Sequence, residues 1–387
     1  MINKKIAILG SSGSIGTQAL DVCRLHGIAV EAISVNTDIK KAEEQIREFA
    51  PAFCAVTDEN ASKELKTRVA DTDTVVFGGT DGLFEMITKL KCDTVLNSII
   101  GGAGLLPTVL CVKEGKNIAL ANKETLVCAG DYIMSEVRRK NLSLLPVDSE
   151  HCAIFQCLMN GSHSELTRLI LTASGGPFFG MKREELENVS VEQTLKHPTW
   201  KMGRKITVDS ATLMNKCFEM MEAAYLFDVD PSMIDVVVHR ESIVHSMVEY
   251  VDGAVIAQLS PPDMRMCIQY ALSYPDRLPG CNPKCDFSKI SKLTFFEPDR
   301  ETFKPLALAP YALKQGGVIP AVLNGVNDAA VKLFLERKIK FTDIMDLSEE
   351  ILHNYKNVKD PSIDDIVEAG QNAYALAHKL AGAGLGE

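Results

Sequence analysis

Along the first 150 positions, apolar residues fall into short β-branched runs separated by stretches of helical period. The runs lie at 6–9, 31–35, 53–57, 74–77, 94–100, 117–121 and 142–147. Between the first two, Ile15, Ala19, Leu20, Val22 and Cys23 share one face of a helix over 14–25. Apolar runs of this length joined by helices predict a parallel sheet covered on both faces. That is an α/β architecture, an N-terminal doubly wound Rossmann-like domain.

Beyond residue 150 the pattern changes. Strands are expected at 168–172, 206–208, 236–239, 242–249 and 254–259, the last three close enough in sequence to pair antiparallel. Helices are expected at 151–158 and 211–227. Pro275, Pro279, Pro283 and Pro298 punctuate a segment of little periodicity, which reads as a linker. Helical period then returns at 306–315, 320–337, 341–354 and 363–380. The expected organisation is a dinucleotide-binding domain (1–148), a central α+β catalytic domain (149–274) with a mobile loop at 196–205, a linker (275–298) and a C-terminal α-helical domain (299–387). Residues 94–112 carry no charge and resemble a membrane span, but Asn97, Ser98, Gly101, Gly102, Gly104 and Pro107 interrupt them. A buried strand, a glycine turn and a packed helix fit better.

Composition narrows the function classes. With 46% hydrophobic residues the chain can bury a core and is not a disordered protein. A net charge of −10, without a basic stripe, argues against a nucleic-acid partner. The chain holds 11 cysteines and no C-x-x-C pair, which excludes a zinc knuckle and points to a reducing, cytoplasmic compartment. Met1 leads almost directly into the first apolar run, so no leader peptide and no membrane partner are expected.

Several motifs carry chemistry. Gly10-Ser-Ser-Gly13-Ser-Ile-Gly16 links the first strand to the first helix, where glycines allow a pyrophosphate to approach free N–H groups. After the second strand, Asp38 suits a ribose and Lys40 or Lys41 a 2′-phosphate, so charge alone leaves NAD and NADP both open. Asp148-Ser149-Glu150 ends a strand, where i and i+2 share a side. Two carboxylates there call for a hard cation such as Mg²⁺ or Mn²⁺, or else form a polar helix cap with Ser149 as the capping residue. Thr212, Asn215, Lys216 and Glu219 make one narrow polar seam on an otherwise apolar helix, which fits a buried pocket-facing helix. There Glu219 offers a third carboxylate, and Asn215 and Lys216 suit an anionic oxygen group. Ser174-Gly-Gly-Pro177 reads as a phosphate turn or a plain one. The stretch from Lys196 to Lys205, with the sole tryptophan, Trp200, reads as a loop closing over an anion or as a surface anchor. His239 and His245, flanked by Val and Ile, read as structural. Cys281 and Cys285 read as ordinary thiols.

Six motifs in one order resemble the 1-deoxy-D-xylulose 5-phosphate reductoisomerase family. They are the glycine loop, Leu120-Ala-Asn-Lys-Glu-Thr-Leu126, Pro146-Val-Asp-Ser-Glu-His151, Ser174-Gly-Gly-Pro-Phe178, His197-Pro-Thr-Trp-Lys-Met-Gly203 and Val208-Asp-Ser-Ala-Thr-Leu-Met-Asn-Lys216. The resemblance continues through Pro262-Asp-Met-Arg265 and the helical C-terminus. It implies a homodimeric enzyme that rearranges 1-deoxy-D-xylulose 5-phosphate and reduces the resulting aldehyde with NADPH to 2-C-methyl-D-erythritol 4-phosphate, using Mg²⁺, Mn²⁺ or Co²⁺. Carried over residue by residue, it implies Asp148, Glu150 and Glu219 as metal ligands, with Lys123, Glu150 and His197 as catalytic residues. Ser149 and Lys123 would meet the substrate's carbonyl and hydroxyl oxygens. Ser174, Ser210, Asn215 and Lys216 would hold its phosphate, and His197, Trp200 and Met202 would form the lid. Ser12, Gly13, Ser14 and Ile15 would hold the cofactor's phosphates, with Asn122, Glu124 and Gly203 at the nicotinamide end. Asn36-Thr37-Asp38 departs from the family's usual glycine, basic or small residue, and asparagine. NADPH is the expected cofactor, with Asp38 directed away or offset by Lys40 or Lys41. A simple NAD(P)-dependent dehydrogenase of a small phosphorylated or semialdehyde substrate is the competing expectation; it needs neither three carboxylates nor the Asn215/Lys216 seam.

Overall fold

The computed structural model describes residues 4–159, 161–280 and 282–383. The chain divides into two compact units. One comprises Met1–Thr125, Tyr132–Cys152 and Asp263–Pro283, the other Leu126–Asp131, Ala153–Pro262 and Lys284–Glu387.

The first unit is the doubly wound domain. Its strands are β1 (Lys5–Leu9), β2 (Ala29–Val35), β3 (Phe53–Val56), β4 (Val75–Gly78), β5 (Thr94–Asn97), β6 (Asn117–Leu120) and β7 (Leu144–Pro146). All pair in parallel, in the order β4-β3-β2-β1-β5-β6-β7. The order reverses between β1 and β5, which opens a crevice at their carboxyl ends. Ile6, Ile8, Ile33, Val56 and Leu96 are fully buried in the sheet core. The helix Met264–Ser273 adds Ile268, Ala271 and Leu272 to that core. Its return is pinned by Lys4, whose ammonium donates to the carbonyls of Leu272 (3.2 Å) and Tyr274 (3.0 Å). The sequence reading grouped residues 263–274 with the central domain; the amphipathic face of this helix packs instead with the first unit.

The uncharged stretch at 94–112 is not one element. β5 stops at Asn97, whose amide donates to the Gly104 carbonyl (3.0 Å) and the Thr108 hydroxyl (2.7 Å). A short turn and the helix Leu105–Lys113 follow. No helix among the described residues is long and apolar enough to cross a membrane.

In the second unit, β8 (Leu166–Ala173), β9 (Ile234–Val238), β10 (Val244–Tyr250) and β11 (Val255–Leu259) form a sheet in the order β11-β10-β8-β9. The antiparallel hairpin forms between β10 and β11, but β9 pairs in parallel with β8 and not with β10. The turn between β9 and β10 contains Ser242 at φ 51°, and β8 lies between the two strands. The four C-terminal helices are Pro305–Gln315, Ile319–Leu335, Phe341–Asn354 and Ile363–Ala383. Gly325 lets the second of these meet the fourth, since a Cβ there would collide with the Gly370 backbone.

Two expectations fail around residue 210. The strand expected at 206–208 is part of the helix Arg204–Thr212, whose Thr207 hydroxyl donates to the Gly203 carbonyl one turn back (2.8 Å). Burial of Thr207 and Val208 against the unit's interior overrides their β-branched preference. The helix expected at 211–227 is interrupted at Leu213 (φ 62°), and a new one runs from Met214 to Phe227. Thr212 therefore leaves the seam; its hydroxyl is turned to the carbonyls of Val208 and Asp209.

One buried acid stabilises the first unit. Glu31 on β2 is 3% exposed and accepts the N–H groups of Lys91 (3.0 Å) and Cys92 (2.6 Å). Burial alone would raise its pKa, but these donors and Lys5 hold it below the usual carboxylate value. A depressed folded value gives stability above the unfolded pKa that is lost as pH falls through the folded one. Urea unfolding at neutral pH should show Glu31→Ala destabilised by roughly 2–3 kcal/mol. The difference from the parent should shrink in acid.

Candidate active site

The glycine loop follows β1. The N–H groups of Gly10 and Ser11 donate to the Ser34 carbonyl (3.1 and 2.8 Å), closing the turn against β2. Gly10 has φ 83°, and a Cβ there would lie 2.8 Å from the Ser98 carbonyl oxygen. The helix Ser14–His26 then starts at Gly13 with no side-chain cap and no acid in its first turn. Its N-terminal dipole is thus offered to an outside anion, which fits the diphosphate of a dinucleotide. Ser12, Gly13 and Ile15 are half-buried at this turn and Ser14 is exposed.

Asp38 has a structural task of its own. It caps the helix Ile39–Phe49, accepting the N–H of Lys41 (3.2 Å). The Lys41 ammonium lies 3.8 Å from the Asp38 carboxylate and donates to the Ser12 carbonyl (3.1 Å). A cation, not a bare acid, is therefore turned onto the glycine loop.

At the carboxyl ends of β6 and β7, Asn122 caps the helix Lys123–Arg139. Its carbonyl oxygen accepts the Thr125 N–H (2.9 Å), and its amide donates to the carbonyls of Ile99 (2.7 Å) and Gly101 (2.8 Å) and to Glu124 (3.2 Å). Lys123, one residue later, pairs with Asp148 at 2.6 Å. Asp148 also accepts the N–H groups of Glu150 (2.9 Å) and His151 (3.1 Å), so Asp148, rather than Ser149, caps the helix Ser149–Leu158. The Ser149 hydroxyl donates to Glu150 (2.7 Å). The strand alternation expected for Asp148 and Glu150 does not apply, because β7 ends at Pro146; the two carboxylates meet through the cap and first turn of a helix.

In the second unit, Asn215, Lys216 and Glu219 are brought together on the helix Met214–Phe227. Glu219 is 1% exposed and pairs with the Lys216 ammonium, and the Asn215 amide donates to its other oxygen. A second cluster forms beyond β8. Gly175 and Gly176 have φ 75° and 63°, and a Cβ on Gly176 would lie 2.8 Å from the Ser210 carbonyl oxygen. The turn thus abuts the buried residue Ser210. Ser174 Oγ lies 2.9 Å from His197 Nε2. His197 Nδ1 accepts the N–H groups of Thr199 (3.1 Å) and Trp200 (2.9 Å), which assigns the ring proton of the neutral imidazole to Nε2. Trp200 is half-buried with its ring 6.1 Å from that of His245. Met202 is half-buried and Gly203 exposed at the start of the helix Arg204–Thr212. Of the loop's cations, Lys205 is committed to Asp209 (3.0 Å) and Asp328 (3.2 Å).

His239 and His245 are structural. His239 bonds the Thr294 carbonyl (2.8 Å) through Nδ1 and accepts the Val244 N–H (3.1 Å) through Nε2, while His245 Nε2 bonds the Ser260 carbonyl (3.0 Å). The described cysteines are free thiols; Cys281 lies outside the described residues. Sequence reasoning passed over Arg240, whose guanidinium donates to the carbonyls of Ser174 (2.6 Å) and Gly176 (2.7 Å). The signal was there: a cation directly follows the strand that ends beside β8.

The switch-point crevice and the uncapped glycine-loop helix define an α/β protein of the dinucleotide-binding class. Family models described as 1-deoxy-D-xylulose 5-phosphate reductoisomerase, its C-terminal domain, and the DXP reductoisomerase C-terminal domain match residues 6–130, 144–227 and 259–376. The reductoisomerase of Agathobacter rectalis is 52% identical over 97% of this chain and 99% of its own. That of Acetivibrio thermocellus is 51% identical over 98% and 100%. A solved reductoisomerase from Zymomonas mobilis in complex with NADPH is 37% identical, covers 98% of this chain and 99% of its own, and superposes with a TM-score of 0.92. A reductoisomerase in complex with NADPH, fosmidomycin and magnesium is 35% identical over 98% of both chains, with a TM-score of 0.93. The chain belongs to the 1-deoxy-D-xylulose 5-phosphate reductoisomerase family.

The His197 environment sets a pH dependence. Burial, and next the Arg240 charge, push its pKa down from 6.5 to about 4. The folded ring stays neutral where the unfolded one gains a proton, so stability falls as pH drops from 6.5 towards about 4. In proton NMR the His197 ring signals of the ligand-free protein should not shift between about pH 5 and 8, the range in which an ordinary histidine titrates.

Proposed function

We propose that this chain rearranges 1-deoxy-D-xylulose 5-phosphate and reduces the product with NADPH and a divalent cation. The product is 2-C-methyl-D-erythritol 4-phosphate, an isoprenoid precursor of the non-mevalonate route. The observation that carries the reading is the whole-length likeness to reductoisomerases, at 52% identity over 97% of this chain.

Asp148, Glu150 and Glu219 are proposed to hold the cation together. Three carboxylates suit Mg²⁺ or Mn²⁺, and Co²⁺ is tolerated by the same oxygen set. When bound, the cation supplies Lewis acidity and a template for the substrate's oxygens. Lys123 and Ser149, already hydrogen-bonded to Asp148 and Glu150, orient the substrate carbonyl and hydroxyl. Ser174, Ser210, Asn215 and Lys216 hold the phosphate. His197, Trp200 and Met202 close over it and exclude water. The N–H groups from Ser12 to Ile15 carry the NADPH diphosphate, and Asn122, Glu124 and Gly203 bound the nicotinamide end. The Asn122 side chain is already engaged in holding the 99–101 turn, so its part is to shape that end. Lys41, placed on the Ser12 carbonyl, reads the 2′-phosphate. A cytoplasmic homodimer belongs to the same reading, supported by the buried reduced thiols and by the exposed start of edge strand β11 at Val255.

Glu150→Gln and Glu219→Gln should each lower kcat roughly 10²-fold or more, because a Lewis acid supplies several kcal/mol to such a step. NADPH affinity should stay near the parent's. Near-normal turnover with tight Mg²⁺ binding in either variant would refute the ligand set, and persistence of the parent's turnover in EDTA would favour a simple dehydrogenase. For Lys41→Ala, equilibrium titration should show weaker NADPH binding and little change for NADH.

A further inference from the structure

β8 and β9 run in parallel and end side by side, with Ala173 opposite Val238. The residues that follow are therefore neighbours: Ser174-Gly175-Gly176 after β8, His239-Arg240 after β9. The His239 N–H donates to the Ala173 carbonyl (2.7 Å), which fixes this register at the end of the sheet. One terminal nitrogen of Arg240 donates to both the Ser174 carbonyl (2.6 Å) and the Gly176 carbonyl (2.7 Å), clamping the turn across its two left-handed glycines. The guanidinium lies over the Phe179 ring at 5.1 Å, and Phe179 packs on Phe296 at 5.2 Å. The side chain is thus held from two sides.

Its charge is offset only in part, by the Glu241 carboxylate acting across space. The adjacent acid, Glu241, is taken by the Thr294 hydroxyl (2.7 Å) and by His239 (3.1 Å). Among the described residues no carboxylate pairs with Arg240. The guanidinium is half-buried, and desolvation lowers its pKa. A half-buried cation that spends one nitrogen on two carbonyls and pairs directly with no carboxylate is only partly compensated, and is suited to receive an anion. Beside it, the His197 Nε2–H donates to Ser174 Oγ, which also accepts the Gly176 N–H (3.3 Å). With its oxygen occupied as an acceptor, the Ser174 hydroxyl is left to donate its own proton outward.

We propose that Arg240 is a positioning residue for the substrate's phosphate: it clamps the Ser174–Gly176 turn into its anion-binding shape and supplies the charge that the phosphate dianion neutralises. This rests on the reading that Ser174 holds that phosphate.

The test compares parent, Arg240→Met and Arg240→Lys in two assays. In the first, inorganic phosphate is titrated into each protein by calorimetry without cofactor, so the outcome does not depend on turnover. Arg240→Met should lose roughly tenfold or more in phosphate affinity, and Arg240→Lys, which keeps charge but not the two-carbonyl clamp, should fall between. In the second, kcat/KM for 1-deoxy-D-xylulose 5-phosphate should fall roughly 10²-fold for Arg240→Met, mostly through KM, while NADPH affinity holds. The His197 NMR titration adds a readout that packing loss alone would not move: removing the Arg240 charge should raise the His197 pKa. Equal phosphate affinity in parent and Arg240→Met overturns the proposal. If Arg240→Met does not fold, equal affinity in Arg240→Lys overturns it. Should the parent bind phosphate through Arg240 but fail to turn over the sugar phosphate, the proposed reaction falls and the anion site stands.

Discussion

A charge taken out of water must be met by an opposite charge or by hydrogen-bond donors, and both units are arranged around that requirement. Glu31 meets it with two backbone N–H groups, Asp148 with Lys123 and the first N–H groups of a helix, Glu219 with Lys216 and Asn215. Asp209 meets it with Lys205 and the Asn327 amide (2.9 Å). These pairs set local geometry more than they add net stability, because the desolvation of two ions offsets most of their attraction. Their value here is positional. A carboxylate held by an ammonium and by amide donors has its orientation restricted. The local geometry around each of these carboxylates is therefore set by the protein's own donors.

Much of this was readable from the chain. The βαβ alternation, the glycine loop and the C-terminal helices follow from periodicity and caps, and the helix 341–354 was predicted to the residue. The site motifs were readable as residue types. What misled was local preference overridden by burial: Ile206, Thr207 and Val208 look like a strand and form a helix. The break at Leu213 carries no glycine or proline to announce it, since a buried leucine holds the left-handed conformation. Strand partnership was also hidden. Short connections between 236 and 259 suggest a meander, yet β8 takes the place beside β9 and makes the parallel pair. That hidden pairing is what carries Arg240 to Ser174, so missing the register meant missing the residue.

The Asp38 case shows how an ambiguous motif can carry a structural task. By charge, Asn36-Thr37-Asp38 looked like a ribose reader hostile to a 2′-phosphate. The carboxylate is instead the cap of the next helix, and that helix's first turn swings Lys41 back over the glycine loop. An acid at the end of a second strand can thus cap the next helix and leave a neighbouring cation on the glycine loop.

The return of helix Met264–Ser273 to the first unit has a consequence in the order of synthesis. Residues up to 125 emerge first and already contain six of that sheet's seven strands, β7 following by residue 146. The face that Ile268, Ala271 and Leu272 cover stays bare until more than a hundred further residues have been made. The amino-terminal unit therefore cannot complete its core as a simple head start during translation, the usual advantage of an N-terminal domain. It lacks that covering face while all of β8 to β11 is translated, and its final closure is coupled to a segment near residue 270. A nascent chain that ends before residue 264 lacks the apolar face with which Ile268, Ala271 and Leu272 complete that core.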